Sequence, residues 1–220
     1  MSQNTSHAVM AQRREAKDSL DDFPTPTWAT RALCEHLALI DPHLRSRVAW
    51  EPACNRGFMA RGLADYFGTV LESDVADYGQ PWAVLHDFLM PGPALFDRVD
   101  WVVTNPPFRL AQQFAKVAQL RAREGVALLV RTAFLEGAGR YRELFERNPP
   151  ATILQFVERV PMVKGRCDPD ASTATAYCWL VWRTCPRPPG QDFTPRFRWI
   201  PPCRRRLERP GDYDARGAQA

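Results

Sequence analysis

The stretch Val48-Ala-Trp-Glu-Pro-Ala-Cys-Asn-Arg-Gly-Phe-Met59 places a short apolar run, a turn of small residues and the start of a helical pattern in succession. A strand that leads through such a turn into a helix is the repeating unit of doubly wound α/β folds. The turn leaves backbone N–H groups exposed above the sheet edge, where these folds bind nucleotide-like ligands. An ordinary strand-to-helix turn would use the same residue types, and the missing G-x-G-x-x-G pattern argues against a nicotinamide enzyme.

Short apolar runs and helical patterns alternate along the rest of the chain. Seven runs predict buried strands, at 47–50, 69–71, 82–85, 101–104, 126–131, 152–157 and 176–182. Three- and four-residue spacing predicts helices at 27–40, 59–66, 109–123 and 140–147. A loop rather than a helix joins the last two runs, which predicts an antiparallel hairpin. The sequence therefore predicts an α/β fold with a seven-stranded, mainly parallel sheet that ends in an antiparallel hairpin.

Length and composition indicate the domain organisation. The chain has 220 residues, of which 45% are hydrophobic and 25% charged, so wholesale disorder and fibrous repeats are excluded. We expect a flexible arm over 1–20, one domain over 21–183, and a Pro/Arg-rich tail over 184–220 whose prolines prevent long regular structure. No apolar run approaches the roughly 20 residues that span a bilayer, and the N-terminus is polar, so we expect a cytoplasmic protein without a membrane partner.

Arginine is concentrated near the C-terminus of a chain whose net charge is +4. Eight arginines stand between positions 183 and 209 against two acids, with Phe193, Phe197 and Trp199 interleaved. This combination suits a phosphate backbone with exposed bases, and equally a solvated tail that docks on the domain. The six cysteines form no C-x-x-C pair and have no histidine at ligand spacing, so we expect no metal site.

Two segments that follow predicted strands are suited to hold a nucleoside. Leu71-Glu-Ser-Asp-Val75 ends a strand in acids, and a carboxylate there can accept hydrogen bonds from both hydroxyls of a ribose. In His86-Asp-Phe-Leu89, Asp87 is an acceptor for an adenine amino group and Phe88 has a ring that can pack on the base. Neither segment is specific by itself, because acids often end strands.

The segment Asp100-Trp-Val-Val-Thr-Asn-Pro-Pro-Phe108 is the most specific in the chain. The predicted strand is followed by the amide Asn105, then by Pro106 and Pro107, and then by the aromatic residue Phe108. The proline rings fix the backbone angle φ. The Asn105 side-chain oxygen and the Pro106 carbonyl can both accept hydrogens from an amine, which turns the nitrogen lone pair towards an electrophile. Phe108 can stack on a planar ring beside them. A loop of ordinary turn formers is the alternative.

Five motifs in this order resemble the S-adenosylmethionine-dependent DNA methyltransferases that modify exocyclic amino groups. They are Phe23-Pro-Thr-Pro26, Glu51-Pro-Ala-Cys-Asn-Arg-Gly57, Ser73-Asp-Val75, Asp87-Phe88 and Asn105-Pro-Pro-Phe108. Their order resembles the adenine-N6 branch of restriction-modification systems and bacteriophages, and the resemblance spans about residues 21–182. It implies a class I, Rossmann-like methyltransferase fold with S-adenosylmethionine as the cofactor.

The resemblance also implies a role for each matching residue. Phe23, Thr25 and Pro26 would flank the methionine end of the cofactor, with Glu51 and Gly57 against its amino-acid part. Asp74 would bind the ribose, and Asp87 and Phe88 the adenine. Pro52, Ala53 and Val75 complete the implied cofactor-binding set, in which Asn105 is also included. Asn105, Pro106, Pro107 and Phe108 would form the catalytic segment that holds the target base.

The chain departs from the family in two respects. Asn55 stands where the family usually has glycine; asparagine tolerates a left-handed backbone, but its side chain would project towards the cofactor. A separate target-recognition domain is also missing, so contacts to DNA would come from the loop 164–172 and the basic tail.

These motifs lead us to expect direct methyl transfer to the N6 amino group of adenine in DNA, without a covalent enzyme intermediate. Cytosine N4, RNA adenine and the side-chain amide of a protein glutamine stay open, because each presents a planar amine. A non-catalytic nucleic-acid-binding module on a decayed scaffold is the alternative from another class of protein.

Overall fold

A computed structural model describes residues 21–96, 99–184 and 194–214. The predicted flexible arm over 1–20 lies outside the described residues. The strands are β1 (Val48–Glu51), β2 (Thr69–Asp74), β3 (Val84–Leu85), β4 (Val99–Thr104), β5 (Ala122–Arg131), β6 (Thr152–Phe156), β7 (Tyr177–Arg183) and β8 (Arg196–Ile200). The helices are α1 (Thr27–Ile40), α2 (Phe58–Ala64), α3 (Ala111–Arg121), α4 (Ala138–Arg140) and α5 (Arg204–Leu207). Short 3₁₀ turns cover Leu44–Ser46 and Thr132–Leu135, and α4 continues as a π-helical turn over Tyr141–Phe145.

The strands form one sheet in the order β3-β2-β1-β4-β5-β7-β6-β8. β7 runs antiparallel to both of its neighbours, and the remaining adjacent pairs are parallel. The predicted α/β fold with a mainly parallel sheet and a C-terminal antiparallel hairpin is therefore confirmed. The hairpin loop returns β7 into the gap between β5 and β6, which a simple meander would not do.

Within the described residues the sheet has eight strands, so the predicted number of seven is wrong. β8 pairs in parallel with β6 along its whole length, from Thr152 opposite Arg196 to Phe156 opposite Ile200. Its residues alternate arginine with aromatic side chains, which is the period of a strand. Pro195 and Pro201 flank β8 without interrupting it, and the regular elements of this segment are short, with five residues in β8 and four in α5.

Buried ion pairs attach the segment that follows β8 to α1. Arg31 is only 2% exposed, and its guanidinium donates to both carboxylate oxygens of Asp212, over 2.6 and 2.8 Å. It also donates to Asp65 Oδ2 and to the Leu207 carbonyl. Burial alone would lower the pKa of Arg31, but these bonds raise it above its ordinary value. The residues after β8 are therefore held against the domain.

Helices cover both faces of the sheet. Successive residues of β4 point to opposite layers: Trp101 and Val103 pack with α1 and α2, whereas Val102 packs with α3. Burial on both faces explains why the sequences of the central strands are continuous apolar runs. Within the described ranges, no helix has the length and apolar character that crossing a membrane requires.

Candidate active site

The carboxyl ends of the parallel strands open onto two cavities that share Asn55 as a wall. The larger measures about 280 Å³ and the smaller about 30 Å³. The larger is bounded by Asn55, Asp74, Ala76, Asp77, Tyr78, Gly79, Gln80, Pro81, Ala83, Val84 and Leu85. The smaller is bounded by Asp21, Phe23, Pro24, Thr25, Glu51, Ala53, Cys54, Asn55, Phe58, Met59, Asn105 and Pro107. Residues far apart in sequence thus meet at the edge where parallel α/β sheets bind ligands.

The turn after β1 has the left-handed backbone for which asparagine is suited. Asn55 has φ of 50°, and Gly57, which precedes α2, has φ of 77°. The Asn55 side chain donates to Asp22 Oδ1 over 2.7 Å and accepts from the Arg56 backbone N–H over 2.8 Å. The side chain that replaces the family glycine is therefore held by Asp22 at the border of both cavities.

Asp22 connects the segment before α1 to this turn. Burial alone would raise its pKa, but hydrogen bonds from Arg56 and Asn55 hold the pKa below its ordinary value. The Arg56 guanidinium, 2.7 Å from Asp22 Oδ1, also lies 5.1 Å from the centre of the Tyr78 ring. Sequence reasoning missed Asp22 and Arg56, because a pair 34 positions apart leaves no local pattern.

Asp74, at the end of β2, lies in the wall of the larger cavity. Its Oδ2 accepts the Asn55 backbone N–H over 2.9 Å, and its Oδ1 accepts that of Ala76 over 3.0 Å. Burial raises the pKa of Asp74, and the backbone hydrogen bonds act in the opposite direction. Glu72, the other acid of the strand end, receives a bond from the Trp82 indole instead and does not border the cavity.

The structure does not bring every predicted cofactor residue to these cavities. Phe88 is 3% exposed and packs against Trp50 and Phe114, with ring centres 5.0 Å apart in each pair. Asp87 is exposed and accepts the Leu89 N–H within its own turn. Val75 is 56% exposed and, like Pro26, Pro52 and Gly57, does not line either cavity. Val84 and Leu85, which sequence reasoning did not select, line the larger cavity instead.

The segment Asn105–Phe108 follows β4 and meets the residues before α1. Asn105 Nδ2 donates to the Phe23 carbonyl over 3.1 Å and lies 3.7 Å from Met162 Sδ. Asn105 Oδ1 is buried and has no hydrogen-bond partner among the described residues. A buried acceptor without a partner is costly, so its persistence at a cavity wall points to a ligand that donates to it.

Phe108 is held by two residues of the segment before α1, one contacting its backbone and the other its ring. Its backbone N–H donates to Asp21 Oδ2 over 2.7 Å, and its ring centre lies 5.4 Å from that of Phe23. The ring of Phe108 is half-buried beside Phe23 and does not line the smaller cavity that Asn105 borders. The segment before α1 thus contacts the motif, and it contributes Asp21, Phe23, Pro24 and Thr25 to the smaller cavity.

The described arginines near the C-terminus include three that form ion pairs within the chain and three others that are exposed. Of the tail arginines, Arg204 pairs with Glu208, Arg206 with Glu35 and Arg209 with Asp65. Arg196, Arg198 and Arg205 are exposed. In the loop 164–172, the Gly165 N–H donates to the Asp22 carbonyl over 2.8 Å, so this loop lies beside the cleft.

Cys54 is the one thiol among the residues lining the two cavities, and burial raises its pKa above the ordinary value. It is therefore a protonated thiol rather than a nucleophile.

Among the described residues, no group of three or more His, Cys, Asp or Glu side chains is placed to hold a metal ion.

Several solved structures that are similar to this chain in fold are described as methyltransferases or as modification subunits of restriction enzymes. A putative class I S-adenosylmethionine-dependent methyltransferase from Listeria monocytogenes has a TM-score of 0.60 at 14% identity, covering 87% of this chain and 69% of its own. A modification subunit of a putative type I restriction enzyme from Vibrio vulnificus has a TM-score of 0.53 at 16% identity, covering 86% and 52%. A putative RNA methyltransferase from Pyrococcus horikoshii has a TM-score of 0.55 at 14% identity, covering 77% and 91%.

The chain therefore has the Rossmann-like fold of class I methyltransferases. It spans about half the length of the Vibrio subunit. No protein family matches the chain by its sequence profile, and no curated protein matches it by sequence.

Proposed function

We propose that this chain transfers a methyl group from S-adenosylmethionine to the N6 amino group of adenine in DNA. The observation that carries the proposal is Asn105 Oδ1, a buried acceptor without a partner at the wall of a cavity that also contains Glu51. An amino nitrogen is the donor that such an oxygen suits. The methyltransferase fold and the resemblance of the segment Asn105–Phe108 support the same reaction.

The lining of the two cavities fits the proposed cofactor. Glu51 and Asp74 are 2% and 8% exposed, and each presents a buried carboxylate at a cavity wall. Carboxylate acceptors suit a ligand with an ammonium group at one end and two neighbouring hydroxyls further along. The bound cofactor would supply an electrophilic methyl group on a sulfonium that leaves readily.

The residues of the chain would supply alignment and charge stabilisation. Asn105 Oδ1 and the Pro106 carbonyl would accept the two hydrogens of the target amine, which directs its lone pair out of the ring plane. The same oxygens would stabilise the positive charge that develops on nitrogen. Because the amine attacks the methyl group directly and displaces the thioether, the reaction requires no strong base and no covalent enzyme intermediate.

The choice of DNA adenine over related substrates rests on resemblance and charge. The order of motifs resembles the adenine-N6 branch, and a modification subunit of a restriction enzyme has the same fold. Cytosine N4 and RNA adenine present the same type of amine, and an RNA methyltransferase is also similar in fold. The exposed Arg196, Arg198 and Arg205 and the loop 164–172 are the candidate contacts to the phosphate backbone.

Mass spectrometry of nucleosides from cellular DNA after expression tests the proposal directly. We expect N6-methyladenine in cells that carry the chain and none above background in cells that carry Asn105→Ala. N4-methylcytosine would identify the other DNA base as the target. If neither appears, and RNA and protein also lack added methyl groups, a non-catalytic nucleic-acid-binding module is favoured.

Asp74→Ala is expected to weaken binding of S-adenosylhomocysteine by about 10- to 100-fold, since hydrogen bonds to a charged group contribute roughly 1.5–3 kcal/mol. Isothermal titration calorimetry measures the affinity. Glu72→Ala is the matched control, because it removes an acid from the same face of β2 that does not border the cavity. Loss of binding in Glu72→Ala with intact binding in Asp74→Ala would overturn the assignment of Asp74 to the ribose.

Phe108→Ala is expected to impair methylation severely, whereas Phe108→Trp and Phe108→Tyr keep much of it, because base–aromatic stacking contributes about 1–3 kcal/mol. A duplex substrate must have its target base rotated out at a cost of a few kcal/mol, and a mismatch lowers that cost. We therefore expect tighter binding to a duplex mismatched at the target adenine when S-adenosylhomocysteine is present. Equal affinities of the wild-type protein for matched and mismatched duplexes would argue against base flipping.

A further inference from the structure

Arg131, the last residue of β5, lies over the ring that the proposed function assigns to the target base. Its guanidinium carbon is 3.7 Å from the centre of the Phe108 ring. This is the separation of two stacked planar groups in van der Waals contact. Arg131 therefore covers one face of Phe108 at the distance a stacked base would have.

This contact forms part of a third cavity, on the other side of the motif from the two described above. The cavity measures about 160 Å³ and is bounded by Pro106, Phe108, Val130, Arg131, Phe134 and Arg140 among others. Asn105 and Pro107 line the smaller of the first two cavities, whereas Pro106 and Phe108 line this one. The catalytic segment thus separates the two spaces, and Arg131 stands at its substrate-facing ring.

Arg131 is not held in place by an acid. Although its side chain is exposed, no carboxylate of residues 21–96, 99–184 or 194–214 forms an ion pair with it. Arg140, the other arginine of the cavity, is different, because it donates to the Phe134 and Glu136 carbonyls and stacks on Phe134. Arg131 interacts with the Tyr177 hydroxyl, an uncharged partner, so a base that displaces its guanidinium breaks no ion pair with the described residues. Arg140 is held by two carbonyls.

We propose that Arg131 forms the second wall of a slot for the target base, which enters between the Phe108 ring and the guanidinium. This inference rests on the proposed function. A base has two flat faces. One face can stack on the Phe108 ring while the guanidinium of Arg131 stacks on the other. Arg131 then moves outward by one ring thickness, roughly 3.5 Å. Stacking of a base on an aromatic ring is stronger than an exposed cation–π contact, so the exchange favours the base.

The slot would also narrow the choice of substrate. A nucleobase has two extended π-faces for the two walls, whereas the side-chain amide of a glutamine covers only a small part of either. The edge of the displaced guanidinium keeps its donors free for the phosphate next to the extruded nucleotide. Arg131 is therefore a positioning residue that selects nucleic acid over protein.

Three substitutions separate the planar shape of Arg131 from its charge. Arg131→Lys keeps the charge without the plane, Arg131→Trp keeps a plane without the charge, and Arg131→Ala removes both. Arg123→Ala is the matched control, because Arg123 is an exposed arginine near the opposite end of the same strand. Methyl transfer from labelled S-adenosylmethionine to unmethylated plasmid DNA gives kcat and KM, and thermal unfolding checks that each variant is folded.

We expect kcat/KM to fall at least tenfold in Arg131→Ala and Arg131→Lys, to stay within threefold of the wild type in Arg131→Trp, and to be unchanged in Arg123→Ala. Affinity for S-adenosylhomocysteine is expected to stay constant throughout. Full activity of Arg131→Lys would show that only charge is needed and would overturn the slot, as would full activity of Arg131→Ala. If the wild-type protein methylates no plasmid DNA while binding S-adenosylhomocysteine, the proposed DNA substrate fails instead, whatever the variants do.

Discussion

Asn105→Ala is expected to reduce methyl transfer by about 10²- to 10³-fold, the loss usual when one group that stabilises developing charge is removed. The substitution deletes the buried Oδ1 acceptor, which has no partner among the described residues. It acts on the target nitrogen, so the affinity for S-adenosylhomocysteine is expected to change little. Single-turnover rates on unmethylated plasmid DNA, together with calorimetric cofactor affinity, measure the two effects separately.

Two further variants make this prediction specific. Gln113→Ala removes an exposed amide from α3 and is expected to have no effect on rate. Asn105→Asp keeps an acceptor oxygen but loses the donor to the Phe23 carbonyl, so we expect a rate between those of the alanine variant and the wild type. Near-normal turnover in Asn105→Ala would remove the amide from the mechanism.

Asp212→Ala is expected to destabilise the fold by about 3–5 kcal/mol, because it leaves the buried guanidinium of Arg31 without its main partner. The Asp212 and Arg31 side chains are each only 3% exposed. Asp65 and the Leu207 carbonyl still bind Arg31, which favours the lower end of this range. The expected decrease in Tm is roughly 2–4 °C for each kcal/mol, and denaturant melts provide the free energy of unfolding.

Asp214→Ala is the control for this prediction, since Asp214 is an exposed acid two positions away. We expect it to change the free energy of unfolding by about 0.5 kcal/mol or less. A double variant, Arg31→Met with Asp212→Leu, is expected to recover most of the stability, because replacing both partners removes the unpaired charge. Equal melting of Asp212→Ala and Asp214→Ala would show that the buried pair does not hold the C-terminal segment.

The central strands were predictable because they are buried on both faces. Each of the seven predicted runs overlaps an observed strand, although the run 82–85 shortens to β3. The predicted helix 140–147 is instead a turn of α4 that widens into a π-helical turn over Tyr141–Phe145. β8 was missed because its arginines indicated a ligand and its flanking prolines indicated a break, although its alternation has the period of a strand.

The site was predictable where a motif is local and not where it depends on tertiary contacts. Asn105 to Phe108 and Asp74 border cavities because parallel strands end at one edge of a sheet. Phe88 shows the limit of this argument, since a ring after a strand can turn towards a ligand or towards the core, and here Trp50 and Phe114 enclose it. The contacts of Asp22 with Arg56, and of Arg131 with Phe108, join residues whose proximity only the folded chain creates.

The outer edge formed by β8 affects how copies of this protein meet one another. Among the described strands β8 pairs with β6 alone, so one row of its backbone N–H and C=O groups has no partner in that part of the chain. Phe197 and Trp199 are 51% and 66% exposed there, which favours association of strands. An antiparallel pairing centred on Arg198 would place Arg198 of one copy opposite Arg198 of the other, and this repulsion opposes growth of the sheet into fibres. Because salt screens the repulsion with a Debye length of about 3 Å at 1 M, concentrated salt is the condition under which solutions of the protein lose this protection.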